Sequence, residues 1–347
     1  MEERIPFSAF SQITTRDQIS ENASTFIGMP VLDYERDQPA AAPPPKKRGF
    51  FSFGKSESEP EPKKASDRTD VIYRFRSSWD EDNLVPNLEH FLESGLAAQA
   101  RGIVIGSWYA DQPDRTAEGV VELLVKSASK LPQLAAIYLG DITSEENEMS
   151  WIHQCDLTPL LEAFPQLQLL RTRGGDGLKL SKPEHAKLRG LALETGGLDV
   201  DVIRSVCMAR FPSLEYLELW LGTDEYGANH GVADLQPILS GRLFPNLKYL
   251  GLRNSHIADD IAAVVVNSPV LQQIETLDLS LGVLTDEGAK SLLKLPASAT
   301  LKNLNLHYNY ISPDLIAQLQ KSPVTMDASK PSNMDDDDEW RFVAVGE

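Results

Sequence analysis

The chain has 347 residues, 41% of them hydrophobic, with a formal net charge of −18 from 51 acidic and 33 basic side chains. That length suits one elongated repeat domain or two ordinary globular ones, and the acidic excess argues against nucleic acid and anionic membranes as general partners. Two cysteines, Cys155 and Cys207, make neither a disulfide framework nor a zinc site and read as small core residues.

In chain order, Met1 to Ser11 is polar and lacks a secretory apolar stretch. No run approaches the roughly 20 apolar residues of a membrane span, so the expected location is the cytoplasm. Phe26 to Tyr34 (FIGMPVLDY) reads as a short strand entered through a turn at Gly28 and Pro30. Residues 1–37 are expected to form an N-terminal segment and part of a cap. Residues 38–68, rich in Pro, Ala, Ser, Lys and Glu, read as a disordered insert. Phe50, Phe51 and Phe53 within it are either a sticky patch or a short docking motif. The Lys46-Lys47-Arg48 run is too short to weigh as a localisation signal. Val71 to Phe75 alternates as a strand, and Leu84, Leu88, Phe91 and Leu92 fall at helical spacing. Residues 69–99 therefore read as an N-terminal cap.

From about residue 100 to 326 the frame L-x-x-L-x-L recurs, with middle positions at Ile103, Ile137, Leu170, Leu191, Leu217, Leu250, Leu277 and Leu304. A short strand cannot bury its apolar face alone, so one strand per repeat must stack on the next. Amphipathic segments follow the strands, among them Val120 to Ser127, Ile261 to Val265, Ala289 to Leu293 and Ile311 to Leu319, the last with Ser312 as N-cap and Pro313 at the first helical position. Helices are about 10 Å wide and strands about 4.8 Å, so the stack curves with strands inside. The fold class is α/β: a leucine-rich-repeat solenoid of ribonuclease-inhibitor-like type.

The complete repeat motif carries Asn three positions after its last leucine; here only Asn309 does. Trp108, Ile142, Gly175, Gly196, Gly222, Ser255 and Gly282 hold that place elsewhere, and the glycines are expected to turn the chain without steric penalty. Residues 327–347 read as an acidic tail, with Asp335 to Asp338 and Glu339 solvated and Trp340, Phe342, Val343 and Val345 packing back on the body.

The segments FIGMPVLDY, YLGDITSEENEMSWI, LTPLLEAFPQLQLLRTRGG, LETGGL, LELWLGTDEYG, GLRNSHIADDIA, LDLSLGVLTDEGA and FVAVGE together resemble a bacterial family of cytoplasmic leucine-rich-repeat proteins to which no function is assigned. The resemblance spans residues 20–37 and 70–347; the insert departs from the family's usual length. It implies a helper role beside radical-SAM-type and ATP-grasp-type enzymes of a biosynthetic system.

In this architecture the residues alternating with the strand leucines share the concave face: Tyr138, Arg171, Arg173, Glu194, Tyr216, Glu218, Trp220, Tyr249, Arg253, Asp278, Asn305 and His307. Trp, Tyr and Arg favour interface hot spots, so this face is the expected site for a protein or peptide partner, although exposed strand faces also carry such residues without a partner. Arg171 and Arg173 beside Gly174 and Gly175 could instead hold an anionic small molecule or peptide, or pair with Glu194. The acidic loop Asp141, Glu145, Glu146 and Glu148 lacks EF-hand spacing and reads as solvated. His153 and Cys155 have no second ligand pair. Asp224, Glu225 and Tyr226 either contact a partner or structure their loop. No phosphate loop, G-x-S-x-G or H-E-x-x-H is present. The expectation is a non-enzymatic binding module without metal or cofactor and with the oligomeric state open; an enzyme with an unrecognised concave site is the other class.

Overall fold

A computed structural model describes residues 4–10, 19–35, 68–110, 112–295, 300–332 and 341–346. Of the insert expected over 38–68, residues 38–67, with their phenylalanines and their basic run, lie outside the described residues, as do the acidic run 335–339 and Trp340.

Among the described residues one twelve-stranded sheet runs in chain order. It comprises β1 (Thr25–Phe26), β2 (Met29–Asp33), β3 (Ile72–Phe75), β4 (Gly102–Ile105), β5 (Ala136–Leu139), β6 (Leu169–Arg173), β7 (Gly190–Glu194), β8 (Tyr216–Gly222), β9 (Tyr249–Ser255), β10 (Thr276–Asp278), β11 (Asn303–Asn305) and β12 (Thr325–Asp327). β1 and β2 pair antiparallel, and every later pair is parallel. The middle positions of the eight repeats stand directly beside one another, from Ile103↔Ile137 through Leu217↔Leu250 to Leu277↔Leu304. The chain is a leucine-rich-repeat solenoid. The register extends beyond the repeats seen in the sequence, because Leu32, Tyr73 and Met326 continue the same row.

The helices are α1 (Leu84–Glu93), α2 (Glu118–Lys126), α3 (Thr158–Ala163), α4 (Val200–Cys207), α5 (Gln236–Leu239), α6 (Ala258–Val265), α7 (Asp286–Leu292) and α8 (Pro313–Leu319). Local chemistry starts several of them. Asp199 caps α4 by accepting from the Asp201 N–H at 2.7 Å, and Thr285 caps α7 by accepting from the Glu287 N–H at 3.1 Å. Ser312 occupies the N-cap of α8 without a side-chain cap bond, and Pro313 opens the helix. Val202, Ile203 and Val206 of α4 join Leu217, Leu219 and Leu221 of β8 in the main core, which is continuous along the solenoid between sheet and helices. Burying each such leucine contributes about 1.5–3 kcal/mol.

Three of the four glycines at the asparagine position do a different job from the one expected. Only Gly222 has a left-handed φ, +70°. At Gly175, Gly196 and Gly282 the reason is close approach: a Cβ on Gly282 would stand 2.7 Å from the Ser255 carbonyl oxygen, and one on Gly222 would stand 1.8 Å from that of Gly196. Loops of successive repeats stack backbone on backbone. Asn309 alone makes the repeat's usual bonds, donating to the Leu306 carbonyl at 2.6 Å and accepting from the Ile311 N–H at 2.9 Å.

Candidate functional site

The twelve alternating residues do share the sheet face opposite the helices. The openness expected of that face needs correction: Tyr138, Arg171, Arg173, Glu194, Tyr216, Glu218, Trp220, Tyr249, Arg253, Asp278, Asn305 and His307 are all buried. Two segments of the same chain pack on this face.

The N-terminal segment covers β3 to β9. Ile5, Phe10, Phe26 and Ile27 pack with Tyr138, Ala192, Tyr216 and Tyr249 in a second apolar cluster. Ile5 is held by its backbone: its N–H donates to Gln168 Oε1 at 3.0 Å and its carbonyl accepts from Arg189 at 2.6 Å. Asn22 and Ala23 are held on Asp141, the first through its carbonyl and the second through its carboxylate. Asp141 is not a solvated loop residue but a buried partner of Arg74, at 2.9 Å. At the other end Ala344 and Val345 join Ile19, Met149, Trp220 and Leu281 in a third cluster. Val343 and Val345 pack back as expected, and Phe342 stays exposed.

Beneath these covers lies a continuous ionic ladder. Arg173 Nε donates to Glu194 Oε2 at 2.8 Å, and Arg171 pairs with Glu194 and reaches Glu218 at 3.6 Å. Glu218 accepts from Trp220 Nε1 at 2.7 Å, from the Tyr216 hydroxyl and from Arg253 at 2.5 Å. Arg253 reaches Asp278 at 3.5 Å, and Asp278 accepts from Tyr249 at 2.7 Å and Asn305 at 2.8 Å. His307 ends the row on Ser329 Oγ at 2.8 Å. Three guanidiniums face three carboxylates, so the layer is neutral, as burial demands. Burial by itself would raise the Glu218 carboxyl; the charges of Arg171 and Arg253 and the Tyr216 and Trp220 bonds bring it down to about 2 instead. The ring of Tyr216 stacks on that of Tyr249 at 4.2 Å, and Arg253 lies over Trp220 at 5.2 Å. Arg171 and Arg173 are thus committed to Glu194 and Glu218, and an anionic ligand on them is not supported.

The open surface is elsewhere. Loops leaving β5, β6, β7 and β8 frame a cleft of about 930 Å³ along the sheet's C-terminal edge, with Trp151, His153, Met208 and Tyr226 in its lining. Trp151 and Met208 are 61% and 62% exposed. His153 Nδ1 pairs with Asp176, a neighbour the sequence reading did not connect to it. Lys179 and Lys182 are outnumbered by Asp176, Asp199, Asp201 and Glu225, so the cleft is net acidic. Strand periodicity does not reach this edge, whose residues come from loops and helix ends without a period; the sequence offered Glu225 and Tyr226 of it as possible partner contacts and missed Trp151 and Met208. The exposed Trp151 in the segment EMSWI was the available signal. Among the described residues no group of three or more His, Cys, Asp or Glu could hold a metal ion, and no helix is long and apolar enough to cross a membrane.

A crystal structure of a protein from Bacteroides fragilis is 31% identical in sequence, covering 79% of this chain and 76% of that one, with a TM-score of 0.69. The chain belongs to that protein's family. A much weaker likeness, to an internalin from Listeria monocytogenes, has 11% identity and a TM-score of 0.32 over 78% of this chain and 76% of that one. No protein-family model and no curated protein matches the chain. The Bacteroides protein and this chain share one fold over the matched length.

Proposed function

We propose that this protein is a non-catalytic interaction module that takes a partner segment into the acidic edge cleft, with Trp151 and Met208 as the apolar anchors. The observation that carries the reading is their joint exposure beside one cleft, where most large apolar side chains among the described residues are buried. Trp is among the side chains that dominate interface energetics, and large apolar groups left in water together mark interaction sites. The acidic balance of the lining selects a partner segment that is basic around an apolar anchor. Ser150 Oγ, buried at the cleft wall and without a hydrogen-bond partner among the described residues, offers a donor to such a segment. An enzyme of a biosynthetic system remains the proposed source of the partner, on the family resemblance alone.

The test is affinity capture from the native host with wild type, Trp151→Ala/Met208→Ala and, as a control, Trp79→Ala, a change at a Trp that is 81% exposed outside the cleft. A protein held by wild type and the control and lost by the double variant supports the reading. Equal retention by all three sinks it.

A further inference from the structure

Three residues occupy the same place in successive repeats, four positions after the middle leucine: Asn254, Leu281 and Tyr308. All three have left-handed backbones, with φ of 52°, 69° and 58°. Such angles are unfavourable for side chains beyond glycine and, less so, asparagine, and they persist where surrounding structure over-determines them. These are the residues that meet the C-terminal segment. Val345 donates its N–H to Asn254 Oδ1 at 3.0 Å, and the Asn254 amide donates back to the Val345 carbonyl. Ala344 donates its N–H to the Leu281 carbonyl at 2.8 Å. Tyr308 packs against the cluster that buries Ala344 and Val345.

We infer that the last repeats form a peptide-binding groove for an extended Val-Ala-Val-Gly-like segment, which this chain fills with its own residues 343–346. The groove recognises main chain through Asn254 and Leu281, a mode that any extended segment can satisfy. Side-chain selection is also legible. Ala344 and Val345 are buried, so bulkier residues meet the wall. A Cβ at position 346 would stand 2.7 Å from the Tyr226 ring, which selects glycine. The occupant in trans is a partner segment of that pattern. Open space makes the resident segment exchangeable: about 790 Å³ lies beside it, between Ile19, His256 and the Tyr226 loop.

The experiment uses the full chain and a labelled peptide of sequence RFVAVGE, read by fluorescence polarisation. Two variants release the resident segment, Val343→Asp/Val345→Asp and Gly346→Leu; retained near-ultraviolet circular dichroism establishes that each is folded. The peptide is expected to bind both variants at least tenfold more tightly than wild type. Adding Asn254→Asp, which keeps the left-handed backbone but loses the amide donor, should weaken binding at least tenfold. The peptide RFVAVLE should not bind. Trp151→Ala should leave peptide binding unchanged, which separates this groove from the edge cleft. Folded variants that fail to bind RFVAVGE, or that bind RFVAVLE equally well, overturn the inference. A wild-type dimer dissociated by both tail substitutions would assign the groove to a second copy and overturn the partner reading.

Discussion

Glu218 and Arg253 meet at 2.5 Å with neither side chain reaching water. Their contact joins β8 to β9 across the inner face and sits at the middle of the ionic ladder. A pair like this is weak evidence of net stabilisation, because both ions have left water; breaking it by removing one partner is costly.

Glu218→Gln is therefore expected to destabilise the protein by about 3–5 kcal/mol, the range for uncompensating a buried ion pair. It leaves Arg253 and Arg171 facing a neutral amide. Urea unfolding at neutral pH measures the change. A loss below about 0.5 kcal/mol, the scale of ordinary surface substitutions, would show that the ladder carries no stability.

The same carboxylate sets an acid dependence. Its folded-state value lies near 2, below the ordinary 4.5. A carboxyl lowered by folding contributes stability that is full above the unfolded value and is lost as pH falls through the folded one. Stability should thus fall as pH is lowered from 4.5 towards 2, and Glu218→Gln should flatten that part of the curve. Denaturation midpoints across this window check it; parallel curves for both proteins would remove Glu218 from the cause.

Trp220→Ala is a core mutation despite its place on the inner face. Trp220 is fully buried against Leu281 and Val345 and donates to Glu218. The expected cost is about 3–5 kcal/mol, as for large aromatic truncations. Trp151→Ala should stay within about 0.5 kcal/mol, as exposed positions do. Thermal unfolding of the two variants side by side decides which tryptophan faces water.

Gly196→Ala probes the tail alone. The added Cβ would stand 2.3 Å from the Gly346 carbonyl oxygen, and the next atom outside that residue is the Ser150 Cβ at 3.6 Å. Gly196 needs no left-handed angle, so the strain falls on the resident segment. Overpacking of this kind costs about 1–3 kcal/mol. Hydrogen exchange should rise at Ala344 and Val345 while the strands stay protected; unchanged exchange there would mean that the end of the chain does not rest on Gly196.

How much of this was readable beforehand follows from the reach of each signal. Leu-x-x-Leu-x-Leu is a local pattern, and its physical cause, a strand too short to bury one face alone, is local too. The stacking of Leu217 beside Leu250 and Leu277 therefore stood in the sequence. So did the set of residues on the opposite face, because side chains alternate along a strand. The first and last strands of the stack were harder: β2, β3 and β12 carry Leu32, Tyr73 and Met326 in the row without the repeat's spacing, and only pairing with their neighbours shows them to belong.

What covers the inner face was a tertiary matter. Ile5 meets Gln168 and Val345 meets Asn254 across 163 and 91 residues, and no periodicity links such positions. With the covers in place, the aromatic and charged residues that looked like a binding surface become a sealed, neutral polar layer. Alternation along a strand says which way a side chain points; whether water or another part of the chain waits there depends on long-range packing, and that alone moved the open surface to Trp151 and the edge.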